Sequence, residues 1–139
     1  MDKVMIRKKW LTLCLLSLLL MISSCAKDAG EGGTSTIKGK VYGKYYNETF
    51  TSLIGNSYAP DVDVYIVYGD ETTYGDKQKT NYDGSFEFKY LRKGNYKVYA
   101  YSKDTTLTNP TTKYAVIAEV TISKSGETVT TEDIIIADN

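Results

Sequence analysis

A sandwich of two β-sheets is the fold class that the sequence predicts, on three observations. From Thr36 onward, apolar and polar residues alternate at a period of two in several short runs. Between the runs stand Gly69-Asp70, Asp83-Gly84, Lys93-Gly94 and Ser125-Gly126, the residue types that tight turns require. No segment of this part carries an apolar stripe at helical spacing. A sheet with one apolar face has to bury it on another layer, and without helices that layer is a second sheet.

The elements follow in chain order. Ile37, Gly39 and Val41 alternate with Lys38, Lys40 and Tyr42 in a first half-buried strand. Residues 43–60 are irregular and polar-aromatic, long for a connection in a small domain; they are either a functional loop or in part an extra strand. Val62, Val64, Ile66 and Tyr68 face one way in the next strand, with Asp63, Tyr65 and Val67 facing the other. The polar stretch from Tyr74 to Thr80 reads as an edge strand. Phe86 and Phe88 alternate with Ser85, Glu87 and Lys89, and Tyr96, Val98 and Ala100 alternate with Lys97, Tyr99 and Tyr101. Val116, Ala118, Val120 and Ile122 share one face of another strand, and Ile134 to Ile136 closes the chain. The total is six or seven strands.

The chain begins differently. Met5-Ile6-Arg7-Lys8-Lys9 is positively charged, and residues 10–22 are apolar apart from Thr12 and Ser17. That is the length of a signal-peptide core and too short to cross ~30 Å of hydrocarbon. Ile22-Ser23-Ser24-Cys25 resembles the bacterial lipobox, which implies cleavage after residue 24 and lipid on Cys25. Residue 26 is Ala, and Lys27-Asp28 with Glu31 is similar to the surface-export signal of lipoproteins from Bacteroides-like bacteria. The expected address is the outer membrane through the lipid, with the cell surface as the outward option. Residues 25–35 hold three glycines and no apolar side chain larger than alanine after Cys25, so they read as a flexible tether.

One segment is more specific than periodicity. Thr80-Asn81-Tyr82-Asp83-Gly84-Ser85-Phe86-Glu87-Phe88, followed by Leu91, Gly94, Tyr96 and Val98, resembles the carboxypeptidase regulatory-like family. Ile37-x-Gly39-x-Val41 and Pro60-x-Val62-x-Val64 are similar to that family's first two strands. The resemblance implies a transthyretin-like, seven-stranded Greek-key sandwich over residues 36–139, with residues 43–60 as the main departure. Tyr96, two residues after Gly94, looks like a tyrosine corner, its ring buried and its hydroxyl bonded to nearby backbone.

Composition removes whole classes of chemistry. The chain has 17 basic and 17 acidic residues, but the leader takes Lys3, Arg7, Lys8 and Lys9 against Asp2. The mature part is therefore mildly acidic, with no basic stripe to neutralise phosphates, and nucleic acid is excluded as a partner. There is no histidine, which removes the usual general base and the commonest metal ligand. Cys14 leaves with the leader and Cys25 is committed to lipid, so thiol catalysis and Cys/His zinc sites go too. With no catalytic constellation, metal site or cofactor in view, the expectation is a protein that is not an enzyme.

Smaller motifs have plain explanations. Asn81-x-Asp83-Gly84 lacks the further acidic ligands of a calcium loop and reads as a hairpin turn. Asp61 and Asp63 stand one strand period apart at a solvated rim. Lys38 and Lys40 are out of phase with Ile37 and Val41, which argues against an internal lysine cross-link. Asp104-Thr105-Thr106 resembles the O-glycosylation site used by Bacteroides-like bacteria, with Thr105 as the acceptor.

Tyrosine is the compositional signature, with 13 copies against three phenylalanines. Tyr65, Tyr99 and Tyr101 fall in outward phase and are the candidate ligand surface. The functional expectation is a non-enzymatic, lipid-anchored envelope module that is structural or binds protein. The alternative is a glycan-binding surface lipoprotein serving polysaccharide uptake. Outward tyrosines gathered on one sheet favour the glycan reading; tyrosines scattered over both faces favour the structural one.

Overall fold

The computed structural model describes residues 28–106 and 112–139. The leader and Cys25 lie outside the described residues. Nine strands form two sheets: β1 (Glu31–Tyr46), β2 (Leu53–Tyr58), β3 (Asp63–Tyr68), β4 (Asp76–Lys79), β5 (Ser85–Leu91), β6 (Gly94–Lys103), β7 (Lys113–Ile122), β8 (Thr128–Thr130) and β9 (Ile134–Asp138). One sheet runs β4-β3-β6-β7, antiparallel throughout. The other is organised on β1, which pairs antiparallel with β5 and β2 and parallel with β8 and β9.

The strand count corrects the expectation of seven. Part of the irregular 43–60 stretch is β2, which folds back on the end of β1 around a tight turn at Asn47. That side chain holds the turn, accepting the backbone N–H of Thr51 at 2.8 Å and of Ser52 at 3.1 Å. The three residues of β8 carry too little pattern to be read from periodicity, and pairing with Thr36 to Lys38 defines them.

The tether is corrected as well. Residues 31–35 belong to β1, and Ser35 is buried. A glycine-rich segment with little to bury is held here by polar contacts from elsewhere in the chain. The Arg92 side chain donates to the carbonyls of Asp28, at 2.7 Å, and Glu31. Gly33 lets the backbone lie against Leu91, where a Cβ would meet the Leu91 carbonyl oxygen at 1.9 Å.

The core lies between the sheets and follows the period-two reading. Ile37 and Val41 of β1, Val64 and Ile66 of β3, and Phe86 and Phe88 of β5 are buried in it. So are Tyr96, Val98 and Ala100 of β6, Val120 and Ile122 of β7, and Ile134 and Ile136 of β9. The intervening residues point out of the sandwich, as alternation requires. Gly84 takes φ +75° at the β4–β5 turn, where its N–H donates to the Asn81 carbonyl at 2.9 Å.

Candidate functional site

The side of β3 and β6 facing away from the core is built by register. Val64 and Ile66 enter the core, so Tyr65 between them must leave it; Val98 and Ala100 do the same for Tyr99. Tyr65 stands opposite Tyr99 across the β3–β6 ladder, and Tyr99 stands opposite Ile117 across β6–β7. Tyr101 follows one strand period on, opposite Ala115.

The three rings meet. Tyr65 and Tyr99 are stacked, with centroids 5.0 Å apart and planes 13° from parallel. Tyr101 stands edge-on to both, at 5.7 Å from Tyr65 and 5.5 Å from Tyr99. A fourth ring joins them. Tyr74, in the loop between β3 and β4, packs edge-on against Tyr65 at 5.1 Å. The edge strand expected from Tyr74 begins only at Asp76, so Tyr74 lies in the loop, where the fold of residues 69–75 brings it in. Tyr74 and Tyr101 are about half exposed, whereas Tyr65 and Tyr99 are largely covered by their neighbours.

Burial first, then the hydrogen bond with Tyr101, pushes the Tyr99 hydroxyl up to about 12. Lys77, on the neighbouring edge strand, lies 5.9 Å from the centre of the Tyr65 ring. The result is a patch of ring faces and ring edges, bordered on the β4 side by Lys77 and Lys79.

The other singled-out residues lie elsewhere. Tyr96 is buried beneath the β5–β6 turn, and its hydroxyl donates to the Arg92 carbonyl at 2.6 Å. Thr105 is half-buried in the turn after β6, where the Asp104 carboxylate accepts the backbone N–H of Thr106 at 2.8 Å. Asp61 and Asp63 face lysines of β4, Lys79 at 2.7 Å and Lys77 at 3.5 Å. Asp83 is held by Ser85 and Lys40 within its turn. Among the described residues, no group of three or more acidic or sulfur side chains has metal-holding geometry.

A cleft of about 650 Å³ opens at one end of the sandwich, lined by Asp28, Tyr68, Asp70, Glu71, Lys93 and Asn95 among others. None of the four clustered tyrosines lines it.

No family model matches the chain, and no curated protein matches it. Among solved structures, the chain is similar to a candidate carbohydrate-binding protein from Pseudomonas aeruginosa. The two share 12% identity at a TM-score of 0.46, over 81% of this chain and 93% of the other.

Proposed function

We propose that the protein is a non-enzymatic binding module held at the outer membrane by lipid on Cys25, and that it binds glycan chains through the outer face of the four-stranded sheet. The observation that carries the ligand surface is the contact of Tyr65, Tyr74, Tyr99 and Tyr101 on that one face. A sugar ring offers an apolar C–H face beside hydroxyls that both donate and accept. A patch of phenol rings and their hydroxyls complements both features, and tyrosine loses little rotamer freedom in doing so. The anchor rests on the charged leader, its apolar core and the lipobox-like Ile22-Ser23-Ser24-Cys25. The non-catalytic part of the reading rests on a mature sequence without histidine or a free thiol.

A second reading has its own observation. Tyr65 and Tyr99 spend a ring face on each other, leaving Tyr74, Tyr101 and Ile117 as the exposed apolar groups. That is the composition of a protein-binding patch, with aromatic anchors on a rigid sheet.

A polysaccharide panel applied to the purified mature protein separates the two. Under the glycan reading a hit weakens about 30-fold in Tyr99→Ala/Tyr101→Ala, the scale of a binding hot spot. A panel without hits, or a hit indifferent to both tyrosines, leaves the protein-binding reading in place. The anchor is tested separately: Cys25→Ser abolishes lipid labelling and releases the protein from membranes.

A further inference from the structure

The two ends of the four-stranded sheet are treated very differently by the sequence. At one end, β4 is four residues long, Asp-Lys-Gln-Lys, and its charges discourage any further strand from pairing there. At the other end, β7 is ten residues long and pairs with β6 from Lys113 to Ile122 without a register shift. Its far edge has no strand partner among the described residues. It contains neither proline nor glycine, no bulge interrupts it, and Tyr114-Ala115-Val116-Ile117-Ala118 is an unbroken apolar run. Tyr114 is 50% exposed and Ile117 55% exposed, one on each face of the sheet. A regular, apolar, ungated edge of this length is a template for another strand.

We propose that a second copy of this chain is what pairs there: two β7 strands run antiparallel about a two-fold axis through Val116, joining two four-stranded sheets into one. The choice of partner and register comes from the side chains. β7 has two charged residues, Lys113 and Glu119, on the same face and three positions either side of Val116. With Val116 at the axis, Lys113 of each copy stands opposite Glu119 of the other, so the Lys–Glu pair forms once on each side of the axis. In the same register Ala115 meets Ile117 and Ala118 meets Tyr114, a small side chain opposite a large one each time. Sliding the strands by two residues sets Lys113 against Ile117 or Thr121 and leaves it without an acidic partner. Among the described residues, neither Lys113 nor Glu119 is in a salt bridge within the chain. A two-fold pairing of this kind is isologous and closes on itself, so it makes a dimer and not a fibre. It would place two tyrosine clusters on one continuous sheet face, and it does not depend on what that face binds.

The test uses the full chain in its own membrane. Partners across an antiparallel ladder have Cα atoms about 4.5–5.5 Å apart, within reach of a disulfide. Val116→Cys is oxidised directly and, in parallel, treated with a short bismaleimide, so that disulfide geometry alone does not decide the result. The unsubstituted chain gives the background from its own cysteines. Thr121→Cys is the control on the same strand, because this register puts its two copies ten residues apart, roughly 33 Å. The expected result is a covalent dimer at least fivefold above both controls. In the Val116→Cys background, Lys113→Glu and Glu119→Lys each reduce the dimer at least threefold, and the two together restore it. Absence of the dimer under both chemistries overturns the pairing, as does equal cross-linking at Thr121. A double charge exchange that stays as low as the single ones overturns the register.

Discussion

The Tyr96 hydroxyl donates to the carbonyl of Arg92, four residues earlier, at 2.6 Å. The same oxygen accepts the N–H of Gly30 at 3.0 Å, and the Arg92 N–H donates to the Gly30 carbonyl at 2.8 Å. One phenol therefore ties the β5–β6 turn to Gly30, just ahead of β1, with its ring 1% exposed in the core.

Tyr96→Phe keeps the ring and its edge-on contact with Tyr68 but leaves the buried Gly30 N–H and the half-buried Arg92 carbonyl short of a partner. The expected cost is about 1–3 kcal/mol, since an unsatisfied buried group carries its full desolvation penalty. A urea midpoint measures the loss. Hydrogen exchange should show the Gly30 amide losing protection first; a uniform change across the sandwich would mean that Tyr96 acts only through its ring.

Phe86 and Phe88 of β5 are each 2% exposed, with ring centroids 6.0 Å apart, while Glu87 between them is exposed and paired with Lys89 at 3.0 Å. Phe86→Ala and Phe88→Ala should each cost about 3–5 kcal/mol through lost burial and the cavity left behind. Glu87→Ala should stay within about 1 kcal/mol, because an exposed ion pair contributes little. Chemical denaturation of the three variants checks the difference, and equal midpoints would contradict the strand's orientation.

This alternation was legible because β5 is amphipathic by itself. The same holds for β3 and β6, whose core and outward faces fall where period-two reading puts them. What sequence could not supply is order imposed from a distance. Residues 31–35 carry no pattern, and the Arg92 guanidinium and the Leu91 backbone make a strand of them. Leu53–Tyr58 alternates poorly because it lies on the outside of β1, so neither of its faces is buried. The tyrosine surface was legible in three of its four rings. Tyr65, Tyr99 and Tyr101 have a strand phase to read, and Tyr74 has only a position in space.

Asp83 couples the β4–β5 turn to pH. Its carboxylate accepts the Ser85 hydroxyl at 2.6 Å and the Ser85 N–H at 3.2 Å, with Lys40 at 3.2 Å. These partners, Ser85 foremost, lower its pKa from 3.8 to about 2. A folded-state pKa below the unfolded one means that the stabilisation is present above about 3.8 and is lost as the pH falls through about 2. Asp83→Asn should therefore flatten the stability profile across that interval by lowering the neutral plateau slightly toward the acid level, a small effect because the site is open to solvent and screened. Melting temperatures of both proteins across the acid range make the comparison; parallel curves would remove Asp83 from the acid response.

The tyrosine face makes the most direct link between packing and binding, because its four rings divide into two kinds. Tyr65 and Tyr99 are stacked at 5.0 Å and largely covered, so they act as the base on which the others stand. Tyr74, 53% exposed, and Tyr101, 45% exposed, rest edge-on against that base. Removing a base ring should cost stability as well as binding: about 1–3 kcal/mol for Tyr65→Ala or Tyr99→Ala, from lost aromatic contact and half-buried area. Removing the outer rings should cost binding with little stability, within about 0.5 kcal/mol for Tyr74→Ala or Tyr101→Ala. Isothermal titration against a glycan identified on the panel, paired with denaturant midpoints for all four variants, reads both quantities at once. If the outer variants bind as the unsubstituted protein does while the base variants lose affinity only in proportion to their unfolding, the cluster is a packing device and the ligand lies elsewhere.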